Sequence, residues 1–401
     1  MKKNSRITPE GTKDYLFEEC TLRRKIQKQL SDVFEGHCYR EVMTPGFEFY
    51  DVYDPDFSGI PQEIMYKMTD RLGRLLVMRP DNTISIARLT ATRLQNLPKP
   101  IRLFYNQPVC RNNPGLSGRI NENLQMGIEL LGADGFRPDL EVLAIAVESL
   151  SKCMPGFRLE IGHAGFFQAL STSLPVSDET REDIRAAIES KNDAALQSLL
   201  APLEESDAVR ALCSLPRLFG GEEVFQQAEK FCTGDLKNTL DYLHGIYRSL
   251  AEYGLGSSLI VDLGLVQRND YYTGIVFSAY VEEYGDAVLL GGRYNNLLSH
   301  FGMPMPAVGF GVNVDAIAQT LSQRQRISFP QKAELLVHGE PGYETKALHY
   351  ASQLIAEGKK CETSVFSSEN EAAAYALKAG IERLDIVGET IRTVDLKGRK
   401  L

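Results

Sequence analysis

The sequence predicts an α+β fold: one antiparallel sheet flanked by helices and interrupted by a helical insertion, followed by a small C-terminal α/β domain. Three observations predict it. Strand-like segments fill the first part of the chain and return after about residue 255, with a block of short helices between them. An amphipathic helix opens the chain over Cys20–Phe34, where Leu22, Ile26, Leu30 and Val33–Phe34 recur at helical spacing. The stretch after Pro330 alternates strand and helix, the pattern of βαβ units.

Taken in order, Tyr39–Phe49 reads as a strand entering at Pro45, followed by strands at Leu75–Met78, Ile101–Cys110 and Asn123–Leu131. A helix over Thr83–Leu94 has Asp81 and Asn82 as cap candidates. Asp139–Cys153 has helical periodicity, and Phe157–Ile161 reads as a strand. From Ala164 to Tyr253 the chain is rich in Ala, Leu, Glu, Lys and Gln, its short helices broken by Pro175, Pro202 and Pro216. Strands resume at Ile260–Leu265, Thr273–Tyr280, Ala287–Leu290 and Val308–Val312. A polar linker, Arg324–Pro330, precedes strand (Glu334–His338), helix (Thr345–Ala356), strand (Glu362–Phe366), helix (Glu371–Ala379) and strands Leu384–Val387 and Thr393–Leu396. We expect one domain over residues 1–325, with the insertion at about 165–255, and a second over 331–401.

With 401 residues, 43% of them hydrophobic, the chain can bury a sizeable core. Its 44 basic and 53 acidic residues leave a net charge of −9, which gives no global reason to bind nucleic acid. Seven scattered cysteines form no C-x-x-C pair and no zinc spacing with histidine, so we expect reduced thiols and no metal. The N-terminus lacks the apolar run of a signal peptide, and no segment reaches the roughly 20 apolar residues of a membrane helix. A soluble, cytoplasmic protein is the expectation.

Four polar clusters fall at strand ends. They are Arg79-Pro80-Asp81-Asn82-Thr83; Pro108–Arg111 with Gly118-Arg119 and Gln125–Glu129; Gln267–Gly274; and Gly291–Tyr294 leading to Pro306–Gly311. Each alone has a plain explanation as solvated loop, turn or the wet side of a half-covered sheet. Together they supply complementary groups for a zwitterion: Asp81, Glu129 or both for an ammonium, Arg111 for a carboxylate, tyrosine and glutamate for a polar ring.

In order and spacing the clusters resemble histidyl-tRNA synthetase, a class II aminoacyl-tRNA synthetase, over nearly the whole chain. Cys38–Glu48 with Pro45 resembles motif 1, the dimer-forming element; Arg102–Gly132 resembles motif 2; Val308–Ile317 resembles motif 3. Leu265–Thr273 is similar to the histidine-specific loop. The resemblance implies a histidine pocket of Asp81, Thr83, Arg111, Gln125, Glu129, Tyr271 and Tyr272. In it Arg111 would take the carboxylate, Asp81, Thr83 and Gln125 the ammonium, and Glu129 with Tyr272 the imidazole.

The departures fall on the ATP side. Where the family's motif 3 ends Gly-Leu-Glu-Arg, this chain reads Asn313-Val314-Asp315-Ala316. Gln267 stands in place of a catalytic arginine, and Arg111-Asn112-Asn113-Pro114 replaces Arg-x-Glu-Arg. Asp81 stands where the family has glutamate. Each lost charged contact is worth about 2 kcal/mol or more of transition-state stabilisation. Losing several should slow adenylation by several orders of magnitude. The reading therefore assigns no catalytic residue and no cofactor.

A synthetase-like chain without its ATP side resembles the regulatory subunits of ATP phosphoribosyltransferase, the first enzyme of histidine biosynthesis. Leu159–Phe167, including His163, resembles a segment of that group, with His163 read as a packed strand-end residue. The last domain resembles a synthetase anticodon-binding domain without its final helix. The resemblance implies a short-form catalytic partner, L-histidine as feedback effector, a homodimer core inside a hetero-oligomer, and no tRNA or membrane partner. An active or divergent histidyl-tRNA synthetase is the competing reading, and another paralogue, one that modifies a protein or senses uncharged tRNA, is a third. A histidine site at a subunit interface is the competing placement.

Overall fold

The computed structural model describes residues 6–113, 120–266, 271–324 and 333–397. The chain divides into two compact units, Met1–Ile327 and Ser328–Leu401.

The first unit begins with α1 (Phe17–Gly36), whose Leu22, Ile26, Leu30, Val33 and Phe34 form a buried stripe. Two short strands follow, β1 (Arg40–Glu41) and β2 (Phe47–Phe49), then a single turn of helix, α2 (Pro55–Ser58). The expected Tyr39–Phe49 strand is thus two strands in two different sheets. Pro45 has no N–H to give a ladder. Around it, Arg79 donates to the carbonyls of Thr44 and Pro45 and holds the kink. β2 joins β3 (Lys67–Thr69) and β4 (Leu75–Met78) in a three-stranded sheet of order β2-β4-β3.

Next come α3 (Asn82–Arg93), the long hairpin β5 (Ile101–Cys110) and β6 (Glu122–Leu131), α4 (Phe136–Cys153) and β7 (Arg158–His163). The insertion carries α5 (Ala164–Thr172), α6 (Asp178–Glu189), α7 (Asp193–Leu200), α8 (Asp207–Ser214), β8 (Phe219–Gly220), α9 (Glu223–Ala228) and α10 (Gly234–Leu250). The sheet is then completed by β9 (Leu259–Asp262), β10 (Ile275–Tyr280), β11 (Leu289–Arg293) and β12 (Ala307–Asn313), with α11 (Val314–Arg324) behind it.

The nine strands run in the order β1-β5-β6-β12-β11-β10-β7-β9-β8. Most neighbours are antiparallel, but β1 lies parallel to β5 and β7 parallel to β9. Both parallel pairs are joined through long intervening segments, which a parallel return requires. Alternation then gives the sheet two faces. Even-numbered Ile128 and Phe310, with Phe104 and Phe277, point back toward α1 and α4, where Phe34 meets Phe104 at 5.7 Å and Phe310 at 6.0 Å. Odd-numbered Gln125, Gly127 and Glu129 pair with Asn313, Gly311 and Gly309 on the front. The Gly291-Gly292 pair lies within β11 and marks a close approach: a Cβ on Gly292 would sit 2.6 Å from the Tyr272 ring.

The second unit has the strands β13 (Leu335–Gly339), β14 (Cys361–Thr363), β15 (Arg383–Val387) and β16 (Ile391–Asp395), in order β14-β13-β15-β16. Helices α12 (Glu344–Ala356) and α13 (Glu369–Ala379) make the parallel crossovers between β13, β14 and β15. Their Ala347, Ala351, Ala372 and Ala376 pack on opposite faces of the sheet.

Candidate functional site

A cavity of about 720 Å³ opens on the front of the large sheet. Asp81 reaches it by ending the turn before α3, where its carboxylate caps the helix by accepting from Ile84 N at 3.0 Å. Asp81 is 6% exposed, and burial raises its carboxyl above the ordinary range, opposed first by Arg111. Arg111, just past β5, donates Nε to the Pro80 carbonyl at 2.8 Å, with Nη2 3.8 Å from Asp81 Oδ2. Gln125 comes from β6, and Tyr271 and Tyr272 from the segment before β10, their rings 4.9 Å apart.

Six of the seven residues expected from sequence, Asp81, Thr83, Arg111, Gln125, Tyr271 and Tyr272, line this one cavity. Glu129 stands behind the wall. It is 1% exposed, accepts from Thr83 Oγ1 at 2.7 Å, and accepts a short hydrogen bond from Tyr294 Oη. Its carboxylate lies over Gly309, where a Cβ would collide with it. Burial raises the Glu129 carboxyl to about 8, although both hydroxyls pull it down. A proton therefore sits on Glu129 for much of the time near neutrality, and the group can give or take one hydrogen bond as its partner requires. The Gln125 carbonyl oxygen accepts from Asn82 Nδ2 at 2.9 Å.

Two tyrosines were missed. Tyr294 lay in a cluster noted for its glycines, and nothing marked its hydroxyl as the partner of a residue 165 positions away. Tyr105 lines the cavity from the middle of an apolar strand and looks like any core tyrosine in the sequence. His163 is structural as expected. Its Nδ1 accepts from Gly165 N and caps α5, and burial lowers the imidazole to about 4, keeping it neutral.

On the nucleotide side, Ala316 is buried in the first turn of α11, its N–H capped by Asn313 Oδ1 at 3.0 Å. Asp315 beside it pairs with Arg23 Nε at 2.7 Å and accepts from Leu124 N at 2.8 Å. Asn113 donates Nδ2 to Asn121 Oδ1 at 3.2 Å. Pro114, the Gly118-Arg119 pair and Gln267–Asp270 lie outside the described residues. Among the described residues lining the cavity, Arg111 and Lys191 are the cations, against Asp81, Glu160, Glu189, Asp262 and Asp286. Lys191 is itself paired to Asp262 at 3.1 Å. Carboxylates thus outnumber cations among the described residues of this lining.

The sheet, its front-face pocket and the altered motifs define a histidyl-tRNA-synthetase-type protein, and the histidyl-tRNA synthetase family model matches residues 11–317. A protein of Clostridium botulinum (strain Langeland) named ATP phosphoribosyltransferase regulatory subunit is 36% identical, covering 100% of this chain and 97% of its own. One of the same name from Bacillus mycoides is 37% identical over 94% of this chain and 91% of its own. A crystal structure described as an ATP phosphoribosyltransferase regulatory subunit/histidyl-tRNA synthetase from Bacillus halodurans superposes with a TM-score of 0.82 at 27% identity, covering 92% of this chain and 96% of that one. The chain belongs to the ATP phosphoribosyltransferase regulatory subunits, a non-catalytic branch of the histidyl-tRNA synthetase family.

Proposed function

We propose that this chain binds L-histidine in the front-face cavity and, as regulatory subunit, carries feedback inhibition to the short-form catalytic subunit of ATP phosphoribosyltransferase. The observation that supports it best is the division of the cavity. Asp81, Thr83 and Arg111 keep an acid, a hydroxyl and a base together on one stretch of the lining, with Glu129 behind Thr83. The rest of the described lining carries an excess of carboxylates where a nucleotide would need cations. Arg111 and Asp81 supply opposite charges for a zwitterion, and Glu129 orients the Thr83 and Tyr294 hydroxyls at the cavity wall toward a bound ring. Histidine that binds one state of the assembly more tightly must shift the assembly toward that state.

The proposal includes a homodimer core within a hetero-oligomer, cytoplasmic residence and no tRNA partner. Among the described residues no helix is long and apolar enough to cross a membrane. The test is calorimetric titration of the purified chain, and of its complex with the catalytic subunit, with histidine and with ATP. Histidine should bind and inhibit the complex, and ATP–pyrophosphate exchange should be absent. Histidine-dependent exchange, or charging of histidine tRNA, would return the chain to the synthetases.

A further inference from the structure

Three amides, two of them buried and the third lining the cavity, run in a line up to the cavity floor, and a backbone N–H at one end fixes which way each faces. Thr44 N donates to Gln107 Oε1 at 3.0 Å. Gln107 Nε2 must then face the other way, and it donates to Thr44 Oγ1 and to Asn82 Oδ1, both at 2.9 Å. Asn82 in turn presents Nδ2 to Gln125 Oε1 at 2.9 Å. Thr44, Gln107 and Asn82 are all buried, Asn82 completely. Turning over any one amide would set donor against donor in a dry site, which costs a lost hydrogen bond and an unpaired polar group. The oxygen of Gln125 is therefore turned toward Asn82. Its Nε2 is left for the cavity, and among the described residues none accepts from it.

A second hydroxyl arrives at the same place. Tyr105 of β5 pairs with Gly127 of β6, which pairs with Gly311 of β12. With no side chains on either glycine, the ring crosses two strands. A Cβ on Gly127 would lie 2.5 Å from Tyr105 Oη, and one on Gly311 would lie 2.9 Å from Tyr105 Oη and 2.5 Å from Gln125 Nε2. The hydroxyl and the amide nitrogen thus converge above Gly311. Tyr105 is 1% exposed, lines the cavity and has no hydrogen-bond partner among the described residues. The amide nitrogen can only donate there and the hydroxyl can donate beside it, so the pair complements an oxygen with spare lone pairs better than it does an ammonium.

We propose that Gln125 Nε2 and Tyr105 Oη form a cradle for the carboxylate of the bound amino acid, held in that polarity by the Thr44–Gln107–Asn82 relay. The inference rests on the reading of the cavity as a histidine pocket and reverses the role expected for Gln125, leaving the ammonium to Asp81. Asn82 and Gln107 are positioning residues, acting only through the orientation of Gln125.

The test is calorimetry on the full chain with L-histidine and with histamine, which keeps the amine and ring but lacks the carboxylate. Tyr105→Phe and Gln125→Glu should each weaken histidine about tenfold or more. Tyr105→Phe should leave histamine within about twofold, and Gln125→Glu should leave it unchanged or tighter. Gln125→Glu is the sharper variant: it keeps an oxygen for Asn82 but sets a carboxylate where the cradle needs a donor. If Gln125→Glu leaves histidine binding unchanged or tightens it, the cradle is wrong and the histidine pocket still stands. If the wild type binds neither ligand, the pocket reading fails and the cradle with it. Asn82→Ala, which frees the Gln125 amide to turn, should lower the preference for histidine over histamine. That preference is a ratio on one sample, so partial unfolding does not mimic the effect, and an unchanged ratio removes Asn82 from the relay.

Discussion

The proposed amino-acid pocket and the positions where a synthetase would hold its nucleotide are built on opposite principles. At the amino-acid end, charged and polar groups are buried and wired: Glu129 between Thr83 and Tyr294, Asp81 capping α3, Gln125 held by Asn82. At the nucleotide end, the positions that differ from a synthetase are small or self-satisfied: Ala316 packed inside, Asn113 tied to Asn121, Asp315 tied to Arg23. A wired polar group is costly to lose, because its partners are left unpaired in a dry site. At Ala316 and Asn113 the neighbouring polar groups already have partners of their own.

The largest effect should come from trying to break this contrast. ATP–pyrophosphate exchange should lie several orders of magnitude below that of an active synthetase. Ala316→Arg should not restore it. An arginine at a position 1% exposed should instead cost about 3 kcal/mol of stability or more, read by denaturant unfolding. Exchange regained with stability intact would mean that the nucleotide end is open after all.

At the other end, Glu129→Ala should weaken histidine about 100-fold in calorimetry and desensitise the complex to histidine, because Thr83 and Tyr294 lose their acceptor as well. Unchanged histidine inhibition would move the regulatory site to a subunit interface. The same residue gives a pH test. Burial holds Glu129 at about 8 against an ordinary 4.5, so between these values the folded state binds the extra proton. The stability of the ligand-free chain should be highest below about pH 4.5 on this group's account and fall as pH rises toward 8. Glu129→Gln should flatten that slope in thermal melts taken across the range, and an unaltered slope would place the titration elsewhere. The smallest effect belongs to Tyr272→Phe, which removes one hydroxyl and keeps the ring over Gly292; histidine should weaken about fivefold to tenfold. A loss as large as that of Glu129→Ala would make Tyr272 the chief ring contact.

Much of this was legible along the chain because the signals are local. The strand Ile101–Cys110 and the helix start at Asp81–Asn82 follow from alternation and capping within a few residues. So do Gln125 and Glu129, which share a face because they are four apart on a strand. The break at Pro45 was read as a strand entry, since only the grip of Arg79 on Thr44 and Pro45 reveals it as a change of sheet.

The sequence by itself determined the sheet interrupted by helices, the residue types of an amino-acid pocket and the loss of the nucleotide's arginines. Each of those depends on identity and spacing over short windows. The tertiary structure alone decided that Glu129 stands behind the cavity wall with Tyr294, that Tyr105 reaches across two glycines, and that Asn82 turns the Gln125 amide. The direction in which a side-chain amide faces depends on who meets it, and its partners here come from segments 25 to 63 residues apart.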